Sequence, residues 1–162
     1  MNIVKLLDMQ AALDEHIQAK HDLGAENLVE RKILALLVEL GELANETRCF
    51  KFWSLKGPAE KETVLAEYVD GIHFILSLGI DLGFVPEIQA VRKKQETDLT
   101  TQFIAIYGYI SEFRIVLNEA AFQKVFREYL YLGEMLGFSA VDVEQAYVSK
   151  NEVNYERQKQ GY

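Results

Sequence analysis

The stretch ILALLVELGELANETRCFKFWS, Ile33 to Ser54, decides how the chain is read. Its first half is apolar enough to be buried. Yet Glu39, Glu42 and Glu46 recur at the three- and four-residue spacings that place side chains on one side of a helix. Like charges so spaced repel and weaken a helix slightly. The apolar positions predict a helix from about Glu26 to Arg48, with Leu28, Leu36, Val38 and Leu43 among its core residues. It runs into an aromatic, basic loop, CFKFWSLKGP, which carries Phe50, Phe52 and Trp53. Carboxylates where a core helix meets such a loop need a physical reason.

The same helical period runs through the rest of the chain, and no segment alternates polar and apolar β-branched residues as strands do. A first helix is expected over about Ile3 to Lys20, with Val4, Leu7, Ala11 and Ile17 among its apolar positions. HDLGAENL reads as a turn. A third helix spans about Ala59 to Leu82 and includes Leu65, Val69, Ile72, Ile75 and Leu76. Pro58 and Pro86 read as breaks. EIQAVRKKQETDLT after Pro86 is polar and carries no clear period. A fourth helix is expected over about Thr101 to Val116, and a fifth over about Glu119 to Leu136, stopped by Gly137. The last begins at Ser139, with Asp142 three residues on as an approximate capping signal. The expected architecture is an all-α bundle of about six helices in one domain, residues 1–162.

With 162 residues and 49% apolar composition, the chain can bury a core of its own. A net charge of −8 argues against a nucleic-acid surface, which needs clustered Lys and Arg. It leaves room for a small phosphorylated ligand. Cys49 is the one cysteine, so neither an intrachain disulfide nor a cysteine zinc site is expected. The N-terminus MNIVKLLDMQ lacks the features of a signal peptide. The apolar stretch GIHFILSLGIDLGF is interrupted by His73 and Asp81 and reads as too short to span a bilayer. A cytoplasmic location is expected.

The chemistry sits on two helices. Glu39 and Glu42 form E-x-x-E; Glu67 and Asp70 form E-x-x-D, in AEYVDGIHF. If the two helices pack antiparallel with these faces apposed, four carboxylates converge and repel. A hard cation resolves the repulsion, and an all-oxygen set suits Mg²⁺ with substrate phosphates as further ligands. The bland alternative is a pair of solvated helix faces, weakened by the apolar neighbours Leu37, Val38, Leu40, Val69 and Ile72. A di-iron carboxylate bundle competes, but it wants Glu-x-x-His on two helices. Only Asp70 and His73 approach that pattern, and His16, His21 and His73 are too scattered to supply the set. His73 by itself reads as a hydrogen-bonded core or outer-shell residue.

Two further segments suit a nucleotide. Lys51 and Lys56 in the loop can neutralise phosphate oxygens, and Trp53 can stack on a base. In YVSKNEVNYERQKQGY, Lys150, Asn154 and Arg157 step along one face, with Asn151 and Gln158 beside it. Charged and amide donors together suit a polyphosphate. Taken singly, core packing for the aromatics and a solvated terminal helix are the plainer readings.

In order, E-x-x-E, NETRCFKFWS, E-x-x-D followed by GIHF, and KNEVNYERQKQGY resemble the dimeric, all-α dUTP pyrophosphatases. These belong to the wider all-α nucleoside triphosphate pyrophosphohydrolases, which include the MazG-type enzymes. The carboxylate frame marks the superfamily; the FKFW loop and the C-terminal motif narrow it. The likeness extends from about Met9 to Tyr162, with no motif between Pro86 and Ala140.

The resemblance implies Mg²⁺-dependent hydrolysis of dUTP, and of dUDP, to dUMP. It implies Mg²⁺ on Glu39, Glu42, Glu67 and Asp70, with Glu39 or Glu42 orienting or deprotonating the water. Glu46 would be an outer-shell or additional ligand. Gln10 would read the uracil; Asp14 stands where the family often has Asn; Trp53 would line the base pocket. Lys51, Lys56, Lys150, Asn151, Asn154, Arg157 and Gln158 would contact the phosphates or close over them. Tyr162 follows Gly161 at the end of the sequence, so closure by a longer tail is not expected. A homodimer is implied, for which YLYLGEML offers an apolar face; the alternative is that this face fills the core. Three rivals remain: a MazG-like enzyme with other nucleotide substrates, a non-catalytic helical interaction or regulatory protein, and an iron-handling carboxylate bundle.

Overall fold

The computed structural model describes residues 1–88 and 97–161, and within them the chain forms six helices and no strand. They are α1 (Ile3–Lys20), α2 (Val29–Thr47), α3 (Lys61–Leu82), α4 (Leu99–Val116), α5 (Glu119–Met135) and α6 (Ala140–Lys159). Most of the polar EIQAVRKKQETDLT stretch, residues 89–96, lies outside the described residues, as does Tyr162.

Local chemistry sets the helix ends. Asn2, Asp98, Asn118 and Ser139 each accept a backbone N–H of the first turn of α1, α4, α5 and α6. Ser139 and Asp142 form the full reciprocal capping box. After α5, Gly137 takes a left-handed φ of 78°. Phe138 N–H then bonds Gly133 O and Gly137 N–H bonds Glu134 O, the two bonds of a Schellman stop. α2 starts at Val29 rather than Glu26, because Asn27 Oδ1 accepts the Val29 N–H. α3 starts at Lys61 rather than Ala59, because the Ala59 N–H is tied back to Glu46 O at 2.9 Å. That bond closes the aromatic loop onto the end of α2. Within the loop, Arg48 donates to Lys56 O and Ser54 Oγ.

α3 is the hub, packing against α1, α2, α5 and α6. By length and composition it is apolar enough to cross a bilayer, but most of it is buried against its neighbours. Val69, Ile72, Ile75 and Leu76 are buried, and they face a stripe on α2 of Val29, Ile33, Leu36, Leu40 and Leu43. Val38 is 49% exposed, because two residues from Leu36 is about 200° around a helix. Val4 is exposed for the same reason: the inward face of α1 carries Leu6, Gln10 and Leu13.

α3 meets α5 through two tyrosines. Tyr68 and Tyr129 stack with ring centroids 4.9 Å apart. Each finds a glycine opposite: a Cβ on Gly71 would lie 1.9 Å from the Tyr129 hydroxyl, and one on Gly133 2.5 Å from that of Tyr68. In YLYLGEML, Tyr129 and Leu132 are fully buried, so that face fills the core of this chain.

Candidate functional site

One edge of α3 is polar along an otherwise apolar helix. Glu67, Asp70, His73, Ser77 and Asp81 follow one another at three- and four-residue steps. The facing edge of α2 carries Lys32 and Glu39, two turns apart. α1 and α6 close the remaining sides, and the polar residues separate into two clusters.

At the first, carboxylate oxygens of Glu39, Glu67 and Asp70 all lie within 4.8 Å of one another. Burial, then the charges of Asp70 and Glu42, push Glu39 up to about 7. Burial and the Asp70 charge raise Glu67, and burial raises Asp70 against the bond from Lys150. Lys150 Nζ on α6 sits 2.6 Å from Asp70 Oδ2, both side chains largely buried. Such an oxygen set suits a hard divalent cation: the carboxylates raise one another's cost of ionisation, and a positive charge held between them would offset it. Glu42, one turn beyond Glu39, is exposed and stands outside the three-oxygen group. Glu46 is half-buried, hydrogen-bonded to Asn45, and near enough to raise Glu67.

At the second, a cleft of about 170 Å³ is lined by Gln10, Asp14, Lys32, His73, Ser77 and Asn154, among apolar neighbours. Gln10 Oε1 accepts from His73 Nδ1 at 2.7 Å and from the Tyr147 hydroxyl at 2.6 Å. Gln10 Nε2 donates to Asp14 Oδ1 at 2.7 Å, and Ser77 Oγ donates to Asp14 Oδ2 at 2.5 Å. Lys32 Nζ lies 3.6 Å from Asp14 and 2.6 Å from Asp81. His73 stacks on Tyr147 at 3.9 Å. Its burial, with the Lys150 charge, pushes it down to about 3, so the ring is neutral. His73 therefore belongs to the core beside the cleft, and its Nε2 has no hydrogen-bond partner among the described residues.

The remaining expected residues are more dispersed. Asn151 is buried, its Nδ2 without a partner among the described residues. Arg157 is exposed, with its charge felt at Asp70. Gln158 accepts from His21 Nε2. Lys51 donates to Asn45 Oδ1. Lys56 is exposed. Trp53 is 65% exposed, packed edge-on against Phe50 and Phe52 and outside the Gln10 cleft.

Lys32, Ser77 and Tyr147 were not among the residues expected at a site. A signal existed for two of them: Ser77 continues the Glu67–Asp70–His73 stripe, and Lys32 lies two turns before Glu39 on α2.

A family model described as dUTPase matches residues 2–162, which is nearly the full chain. No curated protein matches it.

Proposed function

Because the chain belongs to the dUTPase family and is thus a dUTP diphosphatase, we propose that it converts dUTP to dUMP and pyrophosphate, and dUDP to dUMP and phosphate, with Mg²⁺ as cofactor. The observation that carries this reading is the meeting of Glu39, Glu67 and Asp70 within 4.8 Å beside the Lys150 ammonium. These three residues would hold the metal, with Glu42 joining them at the open rim. Bound there, Mg²⁺ would polarise the phosphoryl oxygens and offset the charge of the leaving phosphate.

The chain's own residues divide the remaining work. Glu42 is exposed next to the carboxylate cluster, which suits it to hold the attacking water and take its proton. Glu39, deeper in the cluster, keeps its place as a ligand. Lys150 exchanges Asp70 for a phosphate oxygen, and Asn151 and Arg157 follow it along α6 toward the phosphate chain. Asn154 reaches the cleft beside Gln10 and Asp14, where we place the uracil. Lys51, Lys56 and Gln158 close over the nucleotide, and Glu46 buffers the charge behind the ligands. Trp53 lines the base in this reading, which requires its loop to fold toward the cleft.

We further propose a homodimer acting in the cytoplasm. Leu34, Val38 and Ile104 are 63%, 49% and 67% exposed on α2 and α4, two helices that pack together. This apolar face is a better dimer surface than YLYLGEML, whose central residues are already buried.

The test is pyrophosphate release from dUTP with Mg²⁺ and with a chelator, beside dCTP, dTTP and UTP. Release from dUTP alone, abolished by the chelator, is the expected result. Equal turnover of all four would favour a broad MazG-like substrate range, and turnover of none would leave a non-catalytic role.

A further inference from the structure

The polar network around Gln10 fixes which groups at the cleft are donors and which are acceptors. Gln10 Oε1 already accepts two hydrogen bonds, from His73 Nδ1 and the Tyr147 hydroxyl. Both of its lone pairs are used. Turning the amide over would set its oxygen 2.7 Å from an Asp14 carboxylate oxygen, with no proton between them. The Asp14 charge thus locks the amide with its NH₂ toward Asp14. One Gln10 N–H goes to Asp14, and the other is the only group Gln10 can still offer. It is a donor. Asp14 can only accept, and Oδ1 keeps one lone pair after its bond from Gln10.

A fixed donor beside a fixed acceptor complements the O=C–N–H edge of a uracil ring. Cytosine presents an amino group and a bare ring nitrogen at the same positions, so both contacts become repulsive. Burying such mismatched polar groups discriminates far more strongly than a loss of apolar contact.

We propose that Lys32 is the positioning residue that fixes the Asp14 carboxylate where it would meet the N3–H of the uracil. This rests on the dUTP reading above and on the cleft being its base site. The Asp14 and Lys32 side chains are 12% and 11% exposed, so their polar partners come chiefly from the protein rather than from water. Lys32 is itself anchored to Asp81 at 2.6 Å, and Ser77 donates to the Asp14 oxygen that faces Lys32. The carboxylate is thereby held from the side away from Gln10. An asparagine at position 14 could turn either its oxygen or its NH₂ to the ring; a carboxylate has no such choice.

The experiment is steady-state kinetics on dUTP and dCTP for the wild-type protein, Lys32→Met, Lys32→Arg and Asp14→Asn, with melting curves to verify folding. Lys32→Met should raise KM for dUTP by about tenfold, the value of one well-placed polar contact, with kcat much less affected. It should also narrow the dUTP-to-dCTP ratio of kcat/KM, and Lys32→Arg should restore both. Asp14→Asn should narrow the ratio most, because the amide can face cytosine. If Lys32→Met does not fold, Ser77→Ala removes another Asp14 partner and should shift KM and the ratio in the same direction. A dUTP-active protein whose ratio is unchanged in Asp14→Asn and in Lys32→Met or Ser77→Ala overturns this inference and leaves the activity standing. A wild-type protein that cleaves no pyrimidine nucleotide overturns both.

Discussion

The hydroxyl of Tyr68 donates to the backbone carbonyl of Tyr129, and the hydroxyl of Tyr129 donates to that of Tyr68, at 3.1 and 3.0 Å. This exchange ties α3 to α5 next to Glu67 and Asp70. Burial holds both phenols well above their ordinary range, so neither ionises in working conditions. Tyr129→Phe should cost about 1 kcal/mol, the net value of one hydrogen bond. Gly71→Ala should cost about 1–3 kcal/mol through overpacking, because its methyl meets the Tyr129 hydroxyl. Combined, they should cost less than the sum, since removing the hydroxyl relieves part of the clash. Urea denaturation of the two single variants and the double variant checks this.

Glu39→Gln should abolish activity yet raise the melting temperature of chelator-treated protein. Glu39 titrates near 7 in the folded protein against 4.5 in a free chain, so the fold disfavours its charge. That penalty is absent below about 4.5, grows as pH rises, and is complete above about 7. The gain in melting temperature should therefore be larger at pH 8 than at pH 4.5. Added Mg²⁺ should stabilise the wild-type protein and do much less for the variant.

Glu42→Gln should keep the fold and remove nearly all turnover. Because Glu42 is exposed and outside the three-oxygen group, Mg²⁺ binding by calorimetry should weaken less than in Asp70→Asn. Wild-type turnover in Glu42→Gln would refute its role in activating water.

His73 makes the fold sensitive to mild acid. An unfolded chain binds a proton at His73 below about 6.5, whereas the folded protein does so only near 3. Stability is thus present above 6.5 and is lost as pH falls, by about 1.4 kcal/mol per unit well inside that window. The stability difference between wild type and His73→Gln should shrink as pH drops from 6.5 to 4.5. A difference that stays constant would place the proton elsewhere.

Leu117 joins α4 to α5 in a left-handed conformation, φ 42°, immediately before the Asn118 cap. For a side chain with a Cβ this conformation costs about 1–2 kcal/mol. Leu117 is 40% exposed, so little packing offsets the cost. Leu117→Gly should stabilise the protein by about 0.5–1 kcal/mol in thermal or urea denaturation.

The helices were legible because their caps and stops are local. Ser139 with Asp142, and Gly137 after α5, act on backbone groups within one turn, so a short window contains the whole cause. The carboxylates of α2 and α3 were legible because charges inside apolar runs are expensive and seldom idle. Facing was harder. Val4 and Val38 are apolar but point outward, since apolarity alone does not say which side of a helix meets the core. The Asp14 cluster was the least legible part. Lys32, Ser77 and Asp81 come from two helices distant in sequence from Asp14, and none belongs to a recognisable short motif. Where Trp53 sits was not legible from residue type, because its position outside the cleft is set by the Arg48 hydrogen bonds within the loop.

The polar stripe on α3 acts as a molecular ruler. At 1.5 Å of rise per residue, Asp70 and Ser77 stand about 10 Å apart along a single rigid rod. The carboxylate cluster at one end and the Asp14 cleft at the other are therefore held at a fixed spacing by helix geometry rather than by loop conformation. Deleting one residue between them would rotate the distal marks by about 100°. On the function proposed above, hydrolysis and base choice would then be lost in concert, even with every side chain of both clusters still present.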